Sequence, residues 1–251
     1  MSGWLKVVGL GPGSDALITP EVSQILSEAT DVIGYFPYVE RVQKRPGLTL
    51  HGSDNRVELD RSKLALSLTA DGKKVAVVSS GDPGVFAMAA AVFEATEQGP
   101  NHWRLLDIEV LPGITAMLAA SARAGAPLGH DFCAINLSDN LKPWHLIEKR
   151  LRLASEADFA MAFYNPRSNA RPDGFARVLE VLKECCKDDR PVIFARAINT
   201  KDENLNIVEL SNTTPEMADM RTMVIVGSSQ TRLIERTGQT PWAYTPRSVS
   251  E

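Results

Sequence analysis

The residues best suited to chemistry lie in glycine-containing turns, each directly after an apolar run. The first three are "WLKVVGLGPGSD" (4–15), "VVSSGDPGVFAMAAAVFEA" (77–95) and "VLPGITAMLAASARAG" (110–125). A fourth, "VIVGSSQTR" (224–232), joins glycine to hydroxyl side chains. Open α/β sheets bind ligands at the turns that follow the carboxyl ends of their strands. We therefore expect the four turns to line a ligand site.

The first turn matches the dinucleotide fingerprint G-x-G-x-x-G only in part. Gly9 and Gly11 fit the pattern, but Ser14 stands where the third glycine belongs and Pro12 interrupts the turn. No G-K-[ST] follows, and the next predicted strand ends without an acid for a ribose. The turns carry almost no Lys or Arg, so a neutral or cationic nucleoside fits better than a polyphosphate. A tight strand-to-helix turn without a ligand is the alternative reading.

Two polar residues in these turns each have two readings. Asp82 is predicted to cap a helix that begins near Gly84, to place a carboxylate beside a ligand, or both. Thr115 is likewise predicted to cap a helix, to offer its hydroxyl group to a ligand, or both. We expect the cap to be the main role of Asp82.

Neither a metal site nor a catalytic nucleophile is indicated. HExxH, G-x-S-x-G and CxxC patterns are missing from the sequence, and Cys133 belongs to a strand that we predict to be buried. Three cysteines, an odd number, are typical of reduced thiols and favour the cytoplasm. We predict no signal peptide and no membrane span. A net charge of −4 argues against a general electrostatic affinity for nucleic acid.

Alternating strands and helices are needed to position the turns. The predicted strands are Leu5–Leu10, Asp31–Tyr35, Val75–Ser79, Ile108–Leu111, Phe132–Leu137, Phe159–Tyr164, Val192–Ile198, Ile207–Leu210 and Met223–Val226. The predicted helices are Pro20–Thr30, Arg56–Asp71, Gly84–Glu97, Ile114–Ala124, Pro143–Glu156, Gly174–Cys186 and Pro215–Asp219. This order predicts an α/β fold with a mostly parallel sheet.

The 251 residues suffice for two medium-sized domains. The best boundary lies near "LPGITA", where one strand–helix series ends and another begins. We expect an N-terminal α/β domain over residues 1–113 and a C-terminal α/β domain over 114–240. Residues 241–251 contain two prolines and no periodicity, which predicts a loosely packed tail.

Five motifs in this order resemble those of the tetrapyrrole methylases: "GLGPG", "SSGDPGVFAMAA", "PGITA", "FYNPRS" and "VGSSQTR". The resemblance spans nearly the whole chain. It implies the two-domain fold of the class III methyltransferases, with a mostly parallel first sheet and a mixed second one. It also implies S-adenosylmethionine (SAM) as methyl donor and S-adenosylhomocysteine as product. The first domain would form the tetrapyrrole side of a cleft, and the second would complete the SAM site.

Further segments resemble one branch of this family: "GYFPYVE", "FCAINLSDNLKPWHLIEKRL" and "FYNPRSNARP". This branch methylates precorrin-3B at C(17) and contracts the ring to give precorrin-4 in cobalamin biosynthesis. The alternatives are a methylase acting at another ring position, one that takes a cobalt-containing substrate, or a nucleotide-binding regulatory module without catalysis. The family resemblance also implies a homodimer and a possible handover of substrate between neighbouring pathway enzymes.

The resemblance implies a set of cofactor contacts, mostly through the backbone. They are Pro12, Gly81, Asp82, Val85, Thr115, Ala116, Asn165 and Ala197. Many relatives read "GPGD" in the first turn, whereas here Ser14 precedes Asp15, so the register of that acid differs.

A precorrin carries many carboxylates, so its capture calls for cations, and Arg binds a carboxylate bidentately. We favour Arg41 and Arg167 from a wider set that also includes Lys44, Arg45, Arg56, Arg61 and Arg171. A base would assist ring contraction, and Asp15, Tyr35 and His51 are candidates near predicted strand ends. We expect His51 to be an exposed loop residue rather than the base, and contraction without a dedicated base is the other alternative.

Overall fold

The computed structural model describes residues 3–54 and 57–248. The chain divides into two compact units, one up to Ala116 and one from Met117 onwards. The strands are β1 (Trp4–Gly9), β2 (Asp31–Tyr35), β3 (Thr49–Ser53), β4 (Lys74–Ser79), β5 (Asp107–Leu111), β6 (Gly125–Ala126), β7 (Phe132–Asn136), β8 (Ala160–Tyr164), β9 (Pro191–Arg196), β10 (Asn204–Glu209), β11 (Thr222–Val226), β12 (Arg232–Arg236) and β13 (Gln239–Tyr244). The helices are α1 (Pro20–Glu28), α2 (Phe36–Val39), α3 (Glu58–Ala70), α4 (Met88–Gln98), α5 (Ala116–Ala124), α6 (Trp144–Glu156) and α7 (Gly174–Cys185).

The first unit is built on a five-stranded parallel sheet in the order β3-β2-β4-β1-β5. Its central strand β4 is apolar on both faces, as a parallel sheet covered by helices requires. Ala76 and Val78 pack into one core cluster, and Val75 and Val77 into the cluster on the other face. The parallel sheet predicted for the first domain is confirmed.

The second unit contains a mixed five-stranded sheet in the order β10-β9-β11-β8-β7. Strand β11 runs antiparallel to both of its neighbours, β8 and β9, whereas β7 and β8 are parallel. Helices α6 and α7 contribute Ile147, Leu151, Phe175 and Leu182 to the core of this unit, and all four are fully buried. The mixed sheet predicted for the second domain is also confirmed.

A separate three-stranded sheet in the order β12-β13-β6 lies in the second unit. The expectation of a loosely packed tail from residue 241 is therefore wrong for 241–244, which belong to β13. Ala243 is fully buried and pairs with Gly125. Pro246, which follows the strand, was one of the two prolines that suggested a tail. The other, Pro241, lies in the central strand β13, at the point where the pairing with β12 shifts register and before β6 begins to pair, and proline is tolerated at such an irregularity.

Several further elements differ from the prediction. The sequence did not predict β3, α2, β6, β12 or β13, and the predicted helix Pro215–Asp219 is only a 3-10 turn over Pro215–Met217. Helix α4 begins four residues later than predicted, at Met88. Arg56, the first residue of another predicted helix, and residues 249–251 lie outside the described part of the chain. Over the described residues, no helix combines the length and apolar character needed to cross a membrane.

Candidate functional site

Three of the four predicted turns meet at one edge of the first unit's sheet. They follow β1, β4 and β5, which are adjacent and parallel, so their carboxyl ends point the same way. The first two turns are joined by a pair of backbone hydrogen bonds. Gly11 N–H donates to Gly81 O at 3.2 Å, and Gly81 N–H donates to Gly11 O at 2.9 Å. The first two turns are therefore cross-linked, and we call these turns and the third, which follows β5, the frame of turns.

Close backbone approach explains why glycines occupy this frame. A Cβ on Gly113 would lie 2.2 Å from Gly81 O and 2.9 Å from the Cα of Gly9. A Cβ on Gly9 would lie 2.4 Å from the same Gly81 oxygen. These neighbours are backbone atoms, which cannot rotate away as a side chain can. The role of Gly113 was not predicted, although the Pro-Gly pair in the third turn marked its position.

Asp82 links the second turn to the third. Its Oδ1 accepts a hydrogen bond from Gly84 N at 2.8 Å, and its Oδ2 accepts one from Gly113 N at 3.0 Å. The prediction that Asp82 caps a helix is wrong, because α4 begins only at Met88. Its carboxylate instead holds two backbone N–H groups in fixed positions.

The other cofactor contacts implied for the first unit lie at the same sheet edge. Pro12 and Val85 are half-buried in the first and second turns, and Thr115 is buried just before α5. Ala116 is the first residue of α5. The structure thus brings these residues together along one edge. Their contact with a methyl donor stays a prediction.

Arg41 and Asp15 belong to the surroundings of the first turn. The guanidinium of Arg41 donates to Leu10 O at 2.7 Å and to Gly11 O at 3.4 Å, and it lies 3.5 Å from Asp15 Oδ1. Asp15 begins a 3-10 turn that Ser14 caps, and its side chain is largely exposed. Arg41 therefore fixes the carbonyl groups of this turn, and its predicted contact with substrate stays a prediction.

The two remaining base candidates lie on β2 and β3. Tyr35 ends β2, and its ring lies edge-on to that of Tyr38 with centroids 5.4 Å apart. His51 is not the exposed loop residue that we expected, because it lies within β3 and is half-buried. Its Nε2 is 2.7 Å from Oδ1 of the buried Asp31. That contact fixes the orientation of the imidazole ring.

In the second unit, Asn165 and Ala197 directly follow β8 and β9. Both strands are antiparallel to β11, so they are parallel to each other and end at the same sheet edge. Asn165 has φ of 54° and Ala197 has φ of 49°. Residues other than glycine rarely adopt positive φ, and such residues cluster at functional sites. The Asn165 side chain donates to Asn136 Oδ1 at 3.1 Å, which fixes its amide group.

The fourth turn lies at the edge of this sheet opposite to the one that holds Asn165 and Ala197, and its joining the three turns of the first unit stays a prediction. Strand β11 runs antiparallel to β8 and β9, and its carboxyl end is therefore beside the beginnings of these strands. Ser229 N and Oγ donate to the Asp158 carboxylate at 2.8 and 2.6 Å. The buried Arg190 donates to the same carboxylate at 3.0 Å and to Gly227 O at 3.0 Å. These contacts give the turn a structural role.

Arg167 and Arg171 follow Asn165 in the chain. Arg167 is half-buried, and its Nε donates to Pro172 O at 3.1 Å in a hydrogen bond exposed to solvent. The mostly buried Arg171 lies 3.8 Å from Asp139 Oδ1 and donates weakly to Leu137 O. The structure leaves Arg167 accessible, and its role in binding substrate stays a prediction.

The chemistry of the turns suits a methyl donor better than a metal or a polyphosphate. The described residues contain no cluster of three His, Cys, Asp or Glu side chains that would hold a metal ion. Between the strands and the helices that follow, the three turns of the first unit (residues 10–15, 80–87 and 112–115) contain neither Lys nor Arg but do contain Asp15 and Asp82. Backbone groups and carboxylates favour a ligand that is neutral or positively charged. A sulfonium compound such as SAM fits this set.

Comparison with known proteins identifies the relationships of the chain. The sequence model of the Tetrapyrrole (Corrin/Porphyrin) Methylases matches residues 5–213. A precorrin-3B C(17)-methyltransferase from Sinorhizobium sp is 52% identical over 247 residues, which cover 98% of this chain and 97% of that protein. A probable cobalt-factor III C(17)-methyltransferase from Salmonella typhimurium is 39% identical, with 96% of this chain and 99% of that protein covered.

The fold of the chain also matches that of a solved structure over nearly its full length. The crystal structure of the methyltransferase CobJ superposes with a TM-score of 0.94 at 62% identity, covering 98% of this chain and 100% of the other. The agreement therefore includes both units.

Proposed function

The chain belongs to the tetrapyrrole methylase family, and from this premise we propose that it is an S-adenosylmethionine-dependent precorrin-3B C(17)-methyltransferase of cobalamin biosynthesis. The observation that carries the proposal is the 52% identity to an enzyme of that name across nearly the full length of both chains. The likeness to CobJ over the whole fold supports it. The product of methylation and ring contraction would be precorrin-4.

The frame of turns would hold the methyl donor in position, which is the main contribution that the protein makes to this reaction. SAM provides a sulfonium methyl group that is already strongly electrophilic. The protein has to align donor and acceptor, and alignment alone lowers a barrier by several kcal/mol. The hydrogen bonds between Gly11 and Gly81, and those of Asp82, fix the turns before any ligand arrives. Binding then costs little ordering of the loops.

Cofactor binding is proposed for Pro12, Gly81, Asp82, Val85, Thr115 and Ala116 in the first unit, and for Asn165 and Ala197 in the second. Asp82 acts through the backbone groups that it positions. The positive φ of Asn165 and Ala197 turns their backbone groups out of the strand direction, which supports a role in recognition.

A proton must leave the substrate hydroxyl for the ring to contract, and His51 is the base candidate with the best-defined geometry. Asp31 orients its imidazole through the 2.7 Å contact, as a carboxylate orients the histidine of many acid–base catalysts. Tyr35 and Asp15 remain the alternatives. Replacement of His51 by Gln tests this role, because a base would be needed for contraction and not for binding of the donor.

A cobalt-containing substrate is the second candidate function. The 39% identity to a probable cobalt-factor III C(17)-methyltransferase, again over nearly full length, favours it. We further propose a cytoplasmic homodimer that exchanges substrate with neighbouring pathway enzymes. The three cysteines Cys133, Cys185 and Cys186, all unpaired, support a reducing compartment. Light scattering of the purified chain tests the dimer.

The decisive experiment incubates the chain with enzymatically made precorrin-3B and labelled SAM. Mass spectrometry and carbon NMR then identify the product. A C(17)-methylated, ring-contracted product supports the proposal. Methylation at another carbon, or turnover only of the cobalt-containing substrate, supports the alternatives. Binding of S-adenosylhomocysteine without turnover of either substrate would indicate the regulatory module.

A further inference from the structure

Arg61 is a nearly buried cation in the first turn of α3. The residue is only 5% exposed, and its three guanidinium nitrogens have neutral acceptors. Nε donates to Ser53 Oγ at 2.9 Å, and one terminal nitrogen donates to Asp54 O at 2.8 Å. The other terminal nitrogen lies 3.2 Å from Met88 Sδ, a weak acceptor.

The charge of Arg61 is not neutralised by a carboxylate within ion-pair distance among the residues that the structure describes. Glu58 and Tyr38 act on it only through space, and burial lowers the pKa of its guanidinium. Arg190, which is similarly buried, has Asp158 at 3.0 Å. A buried charge without a partner is costly, and apolar residues of similar volume often replace buried charges without loss of stability. The cation at this position therefore calls for a role other than stability.

A cavity of about 180 Å³ adjoins the guanidinium. Its walls include the apolar Ile33, Val57 and Leu64 and the polar His51, Ser53 and Asp60. Ser53 ends β3 and Arg61 lies near the start of α3, which places the cavity close to the carboxyl edge of the sheet. Met88, which contacts Arg61, is the first residue after the turn that contains Gly81 and Asp82. The cavity is thus next to the frame of turns.

We propose that Arg61 binds a carboxylate side chain of the tetrapyrrole substrate in this cavity. The inference rests on the proposed function, because it takes a polycarboxylate macrocycle as the ligand. A guanidinium has five N–H donors, and its contacts in the described part of the chain engage one on each nitrogen. Each terminal nitrogen therefore retains one N–H. Two N–H groups on neighbouring guanidinium nitrogens are the donors that bidentate binding of a carboxylate requires.

A purely structural role makes the opposite prediction. The contacts of Arg61 tie the end of β3 to the beginnings of α3 and α4. If these contacts are its purpose, Arg61→Met lowers the thermal midpoint of the free protein and leaves substrate affinity unchanged. If carboxylate binding is its purpose, the same variant keeps or raises that midpoint and loses substrate affinity.

The experiment compares the wild type, Arg61→Met and Arg61→Lys, with the exposed Arg104→Met as matched control. Calorimetry measures binding of enzymatically made precorrin-3B in the absence of donor, and separately binding of S-adenosylhomocysteine. We expect Arg61→Met to weaken precorrin binding at least tenfold, to change S-adenosylhomocysteine binding less than twofold and to leave the thermal midpoint equal or higher. Arg61→Lys should lie between it and the wild type, because lysine keeps the charge without the fork.

Unchanged precorrin affinity in Arg61→Met overturns the inference, as does a parallel loss of both affinities with a lower thermal midpoint. Turnover is assayed separately. A wild type that binds precorrin-3B but does not methylate it refutes the proposed function, while the ratio of precorrin affinities still decides the role of Arg61. A wild type that does not bind precorrin-3B overturns both.

Discussion

Replacing Asp82 by Asn tests whether the carboxylate holds the second and third turns together. The two side chains have nearly the same shape, but Asp82 accepts hydrogen bonds at both oxygens, from Gly84 N and Gly113 N. Asn has one oxygen, so its NH₂ group must face one of the two N–H donors. We therefore expect Asn to be nearly as damaging as Ala at this position.

The two hydrogen bonds are not of equal value. The contact with Gly84 is exposed to solvent and contributes little, whereas the contact with Gly113 is partly buried and spans the two turns. A hydrogen bond to a charged group contributes about 1.5–3 kcal/mol, and each 1.4 kcal/mol corresponds to roughly a tenfold change in affinity. If the donor requires the fixed turns, its dissociation constant should rise about 10- to 100-fold.

Titration calorimetry with S-adenosylhomocysteine measures this effect, and differential scanning calorimetry shows whether the variant stays folded. Asp202→Asn is the matched control, because Asp202 forms an exposed ion pair with Arg221 in the second unit. Such pairs contribute about 0–1 kcal/mol. The reasoning is refuted if Asp82→Asn remains folded and binds S-adenosylhomocysteine as the wild type does.

Three further outcomes follow from the described contacts. Gly113→Ala should lower the free energy of unfolding by about 1–3 kcal/mol through overpacking and should weaken S-adenosylhomocysteine binding. Gly174→Ala is the control and should do neither, because a Cβ at Gly174 has ample room. Equal behaviour of the two variants in calorimetry would contradict the close backbone approach at Gly113. Asp158→Ala should lower the free energy of unfolding by about 3–5 kcal/mol, because it leaves a buried arginine unpaired; a urea titration that shows no loss would argue against this role. Iodoacetamide at pH 8 should modify the exposed Cys185 well before Cys133, because burial raises the pKa of the Cys133 thiol; peptide mass spectrometry showing the reverse order would disprove it.

The sequence predicted the parallel sheet of the first unit because its inner strands are unambiguous. "VAVVS" in β4 is apolar on both alternations, a pattern that fits a strand covered by helices on both faces. The strand β3, "TLHGS", was missed because it combines one leucine with glycine and histidine at the sheet edge. The misplacement of His51 as a loop residue followed from that omission.

The direction of β11 puts the fourth turn at the sheet edge opposite to Asn165 and Ala197. A glycine turn after an apolar strand looks the same whether the strand is parallel or antiparallel to its neighbours. The connection between β9 and β10 is too short for a parallel crossover, which needs about a dozen residues or more, so these strands had to form a hairpin. This signal was present, but the reversal of direction was not carried forward to β11, which runs the same way as β10 because both are antiparallel to β9.

Asp82 shows the limit of local capping rules. An Asp followed by Pro-Gly before an apolar helix is a good cap by composition. Its second partner, Gly113, is 31 residues further along the chain. Only the adjacency of β4, β1 and β5 brings the two together, and sheet order is a property of the tertiary fold.

The pairing of β13 with β6 has a consequence for how the second unit assembles. Thr245 Oγ1 donates to Pro127 O across 118 residues of chain, directly beside the paired strands. Closing so long a loop costs entropy before any contact repays it, and contacts of this range slow folding. During synthesis on the ribosome, β6 cannot pair with β13 until nearly the whole second unit has been made. Completion of this small sheet is therefore a late event in maturation, and until then Gly125 and Ala126 lack the strand with which they pair.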